Sequence, residues 1–196
     1  AHRTGRRHVA LWGTLLLALG ASSLAVPCRA DSPDPYAVKA AFLYNIARFV
    51  EWPPDSAGTE PPGGSASFRI GVVGEDPFGS LLDELARSQT LQDRPIRIQR
   101  GSDPSDLDSC AMIFLGVPES ELPEALAAAE RRGTLTVGEG EAFVRAGGAI
   151  GLVVDQQRVR FEVNLAATER ANLRVSSKLL RLAVHVGRWP LAKEAP

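Results

Sequence analysis

Apolar and polar positions recur along this chain with two periods, and the places where one period gives way to the other mark its elements. Val38, Phe42, Ile46 and Phe49 follow Asp34-Pro35 at helical spacing; Asp34 suits a cap, Pro35 a first helical position, and Trp52-Pro53-Pro54 a stop. Residues 53–67 (PPDSAGTEPPGGSAS) read as a flexible loop. A strand is predicted over 68–73, a helix over 78–88 opened by Asp76-Pro77, and strands over 96–99 and 112–115. An Ala-rich helix over 122–132, a strand over 134–137 and a short helix over 141–145 come next. Segments 150–154 and 159–163 flank Asp155-Gln156-Gln157 as an antiparallel hairpin. A loop or helical stretch over 165–173 and a helix over 177–186, stopped by Gly187 and Pro190, complete the series. Repeated strand–helix–strand units imply one α/β domain, a layered sandwich with a mostly parallel sheet, helices on both faces and a C-terminal antiparallel hairpin.

The first thirty residues stand outside this pattern. Arg3, Arg6 and Arg7 precede an uncharged run over 9–26, and Cys28-Arg29-Ala30 puts small residues at the −3 and −1 positions before Asp31. A basic start, an apolar middle and a small-residue end describe a cleaved signal peptide over 1–30, leaving a domain over 31–196. An uncleaved anchor, a lipoprotein acylated at Cys28 and a twin-arginine signal at Arg6-Arg7 are the alternatives. Pro27 and the weak Val9-Ala10 continuation speak against the last two.

That division changes the charge. The whole chain carries 22 basic and 23 acidic side chains, a formal net charge of −1. Four arginines and no acid lie in 1–30, so the remainder holds 18 basic against 23 acidic side chains, a net charge of −5. No nucleic-acid partner is expected of such a surface. His185 and Cys110 are the histidine and cysteine left, which allows no internal disulfide and little material for a metal. Cys110, ahead of the apolar run 111–115, reads as a buried thiol, with intermolecular pairing or redox sensing as alternatives.

Catalytic motifs are missing: the sequence contains no G-x-S-x-G, H-E-x-x-H, C-x-x-C or Walker loop. Gly71, Gly74 and Gly79 do not reproduce a dinucleotide fingerprint, because Gly71 falls inside a predicted strand. Gly138-Glu139-Gly140-Glu141 reads as a solvated turn, although its acids follow a strand, where α/β folds bind ligands. Alternation over 158–164 puts Val159, Phe161 and Val163 on one face and Arg158, Arg160, Glu162 and Asn164 on the other, open to solvent or to a partner. Arg174, Lys178, Arg181, His185 and Arg188, spaced by four, three, four and three, form a basic stripe on the expected last helix. Such a stripe is either solvated or a docking face for anionic lipid or an acidic partner. Ser176 and Ser177 supply that helix's cap.

Residues 36–53 (YAVKAAFLYNIARFVEWP), 74–78 (GEDPF), 147–152 (GGAIGL), 159–164 (VRFEVN) and 171–183 (ANLRVSSKLLRLA), in this order, resemble the YfiR-like family of exported bacterial proteins. The resemblance implies an α/β fold able to dimerise and a periplasmic, non-enzymatic regulator without cofactor or metal. Its implied partner is the periplasmic sensing domain of an inner-membrane diguanylate cyclase, or of a sensor histidine kinase. Restraint of the cyclase lowers cyclic-di-GMP and biofilm formation. Disulfides matter in some members; this chain lacks the second cysteine after cleavage, so that control is not carried over. Partner- or ligand-binding candidates are Lys39, Tyr44, Arg48 and Glu51 on the first helix, Arg160 and Glu162 on the hairpin, and Asn164, Ser176 and Ser177 in the following loops. Phe42 and Phe49 read as core, and Trp52 as core or surface. The alternative is a small-ligand module or hydrolase using strand-end loops at Asp76, Gly116 and Glu139.

Overall fold

A computed structural model describes residues 34–52, 67–107, 109–130 and 134–190. The expected signal peptide 1–30, and the expected loop 53–67 except Ser67, lie outside the described residues. In chain order the elements are α1 (Pro35–Arg48), β1 (Val50–Glu51), β2 (Phe68–Gly74), α2 (Ser80–Ser88), β3 (Thr90–Leu91), β4 (Arg94–Gly101), β5 (Met112–Gly116) and α3 (Leu122–Glu130). They continue with β6 (Leu135–Glu139), α4 (Glu141–Arg145), β7 (Ile150–Asp155), β8 (Arg158–Asn164), α5 (Leu165–Arg170), β9 (Arg174–Val175), α6 (Ser177–Leu180) and β10 (His185–Gly187).

Among the described residues the strands form an eight-stranded sheet, ordered β10-β8-β7-β6-β5-β2-β4-β3, and a two-stranded ribbon of β1 and β9. Strands β4, β2, β5, β6 and β7 run parallel, in the 2-1-3-4-5 order of a doubly wound sheet. The expected hairpin is present: β7 and β8 pair antiparallel from Ile150↔Val163 to Asp155↔Arg158, across Gln156 and Gln157, both at positive φ.

Each face of the sheet buries its own apolar set, because successive side chains point to opposite sides. Ile70 and Val72 of β2, with Phe114 of β5, pack under Leu43 and Ile46 of α1 and Leu82 of α2. Val73, Ile113 and Leu115 pack on the other side with Leu126 of α3 and Phe143 and Val144 of α4. The mostly parallel sheet with helices on both faces therefore stands as expected.

Two local expectations are corrected. The inner face of α1 is Ala40, Leu43, Ile46 and Ala47, with Phe42 and Phe49 only half-buried. Small alanines let the helix lie close to the sheet, and Phe42 is left at the margin against Phe161, ring centroids 5.9 Å apart. The helix expected over 177–186 is a single turn, Ser177–Leu180. Beyond it Val184 N–H donates to the Phe161 carbonyl (2.9 Å), and His185, Val186 and Gly187 pair in parallel with Glu162, Val163 and Asn164. The unpaired outer edge of β8 thus claims a segment whose valines favour extended backbone. The basic stripe dissolves with the helix: Arg174 is on β9, Lys178 on α6, His185 on β10, and Arg188 beyond it binds Glu169.

Asn164, expected on an open polar face, is fully buried at the end of β8. Its Oδ1 accepts from the N–H groups of Trp189 (3.0 Å), Ala166 (3.1 Å) and Ala167 (3.4 Å). Its Nδ2 donates to the carbonyls of Trp189 (2.9 Å) and Val144 (3.3 Å). One amide thereby caps α5, holds the chain after β10 and ties both to α4. Replacing Asn164 with Leu strands these buried groups. Stability should fall by about 2–4 kcal/mol, read from urea unfolding; a change below about 0.5 kcal/mol contradicts this role.

Candidate functional site

Two recesses concentrate the polar side chains that sequence reasoning singled out. The first is built on the ribbon, where Val50 pairs with Val175 and Glu51 with Arg174. Ser176 N–H donates to the Phe49 carbonyl (2.9 Å), and Ser176 Oγ accepts from Leu179 N–H (3.3 Å), so the expected cap is Ser176 rather than Ser177. The ribbon brings the end of α1 beside the start of α6, joining candidates that lie far apart in sequence. Glu51, Arg174 and Ser177 are exposed, and Glu51, Trp52, Asn172 and Arg174 line a shallow cavity of about 270 Å³. Trp52 is anchored by Nε1 donating to the Ala47 carbonyl (2.8 Å) and by edge contact with Phe68. Arg48, exposed, lies over the Tyr44 ring (5.6 Å to the centroid), while the Tyr44 hydroxyl donates to the Thr90 carbonyl (3.2 Å). Tyr44 is half-buried against the core, so only part of its ring is free.

Arg160 and Glu162 lie elsewhere, on β8: Arg160 is exposed and Glu162 half-buried, opposite Gly151 on one side and His185 on the other. Lys39 leaves the candidate surface altogether. It is only 6% exposed, and its Nζ sits 2.9 Å from Glu139 Oε1 and 4.5 Å above the Tyr36 ring. A lysine stem can cross an apolar face and still place its charge on a partner, which periodicity alone does not reveal.

The second recess lies where the sheet changes winding direction. After β2 the chain enters α2 on one face; after β5 it enters α3 on the other, opening a crevice beyond the strand ends. Its floor is tight: Glu75 N–H donates to the Gly116 carbonyl (2.8 Å), and a Cβ on Gly116 would lie 2.0 Å from the Glu75 carbonyl oxygen. A cavity of about 370 Å³ is lined there by Glu75, Gly116, Val117, Glu119, Glu139 and Tyr36, among others. Of the Gly138–Glu141 turn, Glu139 lines this cavity and is ion-paired, while Glu141 stays exposed and holds Arg145. Asp76, also expected there, is engaged elsewhere: Oδ1 caps Phe78 N–H (2.8 Å) and Oδ2 binds Arg100 Nε (2.6 Å). Arg100 also holds Asp83, and these carboxylates push its pKa above the ordinary value. Tyr36, Glu75 and Glu119 were missed because strand order, the signal that locates them, is not written in local pattern.

Cys110 is buried as expected, its Sγ 3.1 Å from Gln99 Oε1. Burial pushes the thiol from 9.0 up to about 11, against a smaller lowering by Arg69. Among the described residues no cluster of three or more metal-ligating side chains occurs, and no helix is long and apolar enough to cross a membrane.

The strand order, the two helical layers and the strand-end crevice define a doubly wound α/β domain. Residues 36–184 match the model of the YfiR/HmsC-like family, and the chain belongs to that family. No curated protein matches it. Among solved structures, a conserved domain protein from Vibrio cholerae O1 biovar El Tor strain N16961 is similar at 14% identity and a TM-score of 0.52. The ABC domain from Streptococcus pneumonia, in complex with L-Trp, is similar at 11% identity and a TM-score of 0.47. Each comparison covers 78% of this chain and 60% of the other, so the chain spans about three-fifths of those proteins. At 14% identity the likeness to the Vibrio cholerae structure speaks for the fold alone.

The ion pair is asymmetric, since Glu139 keeps its access to water (39% exposed) and Lys39 does not. Lys39→Met should therefore change stability by less than about 1.5 kcal/mol, whereas Glu139→Gln, which leaves a buried ammonium unpaired, should cost more, about 1–3 kcal/mol. Equal losses in urea unfolding would contradict this. For Cys110 the raised pKa means that the folded state holds its proton longer than the unfolded chain. Stability should then fall as pH rises from about 9 to about 11. The fall should be smaller in Cys110→Ala, and a thiol reagent at pH 8 should label Cys110 of the native protein only as fast as it opens.

Proposed function

We propose that this protein is an exported, non-enzymatic regulator that binds the periplasmic sensing domain of an inner-membrane signalling protein, a diguanylate cyclase in the first instance, and holds it inactive. Membership of the YfiR/HmsC-like family over residues 36–184 carries the reading. Glu51 and Arg174, opposite each other on the β1–β9 ribbon, with Arg48 just before β1 and Ser177 just after β9, support it as an exposed, mixed-charge surface. Lys39 and Asn164 are withdrawn from the contact surface, being consumed inside the fold. Such a protein restrains a receptor only by binding its inactive conformation more tightly than its active one, and its release follows when a signal competes for that surface. On this reading residues 1–30 direct export and are removed, and the domain acts in the periplasm, alone or as a dimer.

The test measures binding of the purified protein to the isolated periplasmic domains of cyclases and sensor kinases from its own source. The paired substitution Glu51→Lys with Arg174→Glu keeps opposite charges across the ribbon while reversing the surface that a partner meets. It should weaken binding at least tenfold, with a matching rise of cyclic-di-GMP in cells. Unchanged cyclic-di-GMP on deletion, with no membrane partner captured, would remove the proposal.

A further inference from the structure

The strand-end cavity goes beyond a partner surface, and we infer that it is a binding site for a small amphipathic organic cation, an apolar body carrying a protonated amine. Four observations combine. It lies outside the carboxyl ends of β2, β5 and β6, where doubly wound sheets leave a crevice between opposite crossovers. Its volume, about 370 Å³, falls in the range of small-molecule sites, roughly 300–1,000 Å³. Its walls are divided between apolar groups (Pro77, Val117, Leu122, Ala142) and three carboxylates, Glu75, Glu119 and Glu139. Only Glu139 is neutralised, by Lys39; neither Glu75 nor Glu119 has an ion-pair partner among the described residues.

The sign of the ligand follows from that imbalance. An anion entering here would meet two carboxylates unpaired among the described residues, and the Lys39 ammonium is already held at 2.9 Å by Glu139. An ammonium group meets the reverse: two acceptors without a cation, next to apolar surface that removes its hydrocarbon part from water. The wall is also stiff. Tyr36 stands edge-on to Phe78 at 6.2 Å, Phe78 edge-on to Phe114 at 4.8 Å, and the Glu75–Gly116 hydrogen bond fixes the floor. A preformed site loses little on ordering.

The experiment titrates the full protein with 2-phenylethylamine, with n-hexylamine and with phenylacetate, following amide shifts by NMR and heats by calorimetry. Both amines should bind, with shifts centred on Gly116, Val117 and Glu139, and phenylacetate should bind at least tenfold more weakly. Glu75→Gln with Glu119→Gln should weaken the amines at least tenfold while leaving the melting temperature nearly unchanged, since both side chains are exposed. Ala142→Phe should fill the cavity and abolish binding. The inference is overturned if neither amine binds up to 10 mM, if phenylacetate binds as well as the amines, or if the shifts map elsewhere. Amine affinity that ignores the glutamine substitutions overturns it equally. None of these readouts involves a membrane receptor, so the outcome is separate from that of the regulatory proposal.

Discussion

The hydrogen-bonded amide of Asn164 is the constraint on which the C-terminal third of this molecule depends. At the end of β8 the chain must turn into α5, whose first amides have no helical acceptors, and a later segment must return to lie beside β8. A single buried side chain answers both needs, accepting three N–H groups and donating to two carbonyls. An apolar residue of similar size would fill the volume but satisfy none of those groups, and such orphaned polar groups are what buried structure tolerates least. The position of β10, and through it the end of the sheet, rests on this arrangement.

The two recesses share α1. Its first turns place Tyr36 in the wall of the strand-end crevice and Lys39 on that wall's Glu139, and the strand that follows its last turn pairs with β9 in the ribbon. Fourteen residues of one helix thus run from the strand-end cavity to the polar surface proposed for a protein partner.

Local pattern was enough for most of the sheet and for α4. The segments over 68–73, 112–115, 141–145 and the hairpin carried runs, caps and turns whose local preferences agree with their tertiary setting. It failed where distant strands decide. Residues 177–186 had helical spacing, yet the edge of β8 offered hydrogen bonds that a surface helix could not match. Asn164 obeyed the strand alternation that assigned it to an open face, but α4 and the chain at Trp189 close over that end of the strand, while Arg160 stays exposed. Lys39 was counted as a surface charge because its partner, Glu139, is a hundred residues away and meets it only through the order of the strands. The site was legible to the same extent: Glu51, Ser176 and Ser177 were named from sequence, but the ribbon that joins them, two residues a side, is too short to leave a periodic signal.

The terminal strands of the large sheet have a consequence for the life of the protein at high concentration. At one end stands β3, two residues long; at the other stands β10, three residues long, with the Trp189 ring so close over Gly187 that a Cβ there would lie 2.5 Å from it. These short margins cover only part of the strands they border: β3 pairs with Arg94 and Pro95 of β4 and β10 with Glu162, Val163 and Asn164 of β8, so among the described residues no strand pairs with the outer edge of β4 from Ile96 to Gly101 or of β8 from Arg158 to Arg160. Those stretches are the backbone on which a second strand could template, and the arginines they carry, Arg97 and Arg100 on β4 and Arg158 and Arg160 on β8, are the kind of charge that discourages runaway strand-to-strand association.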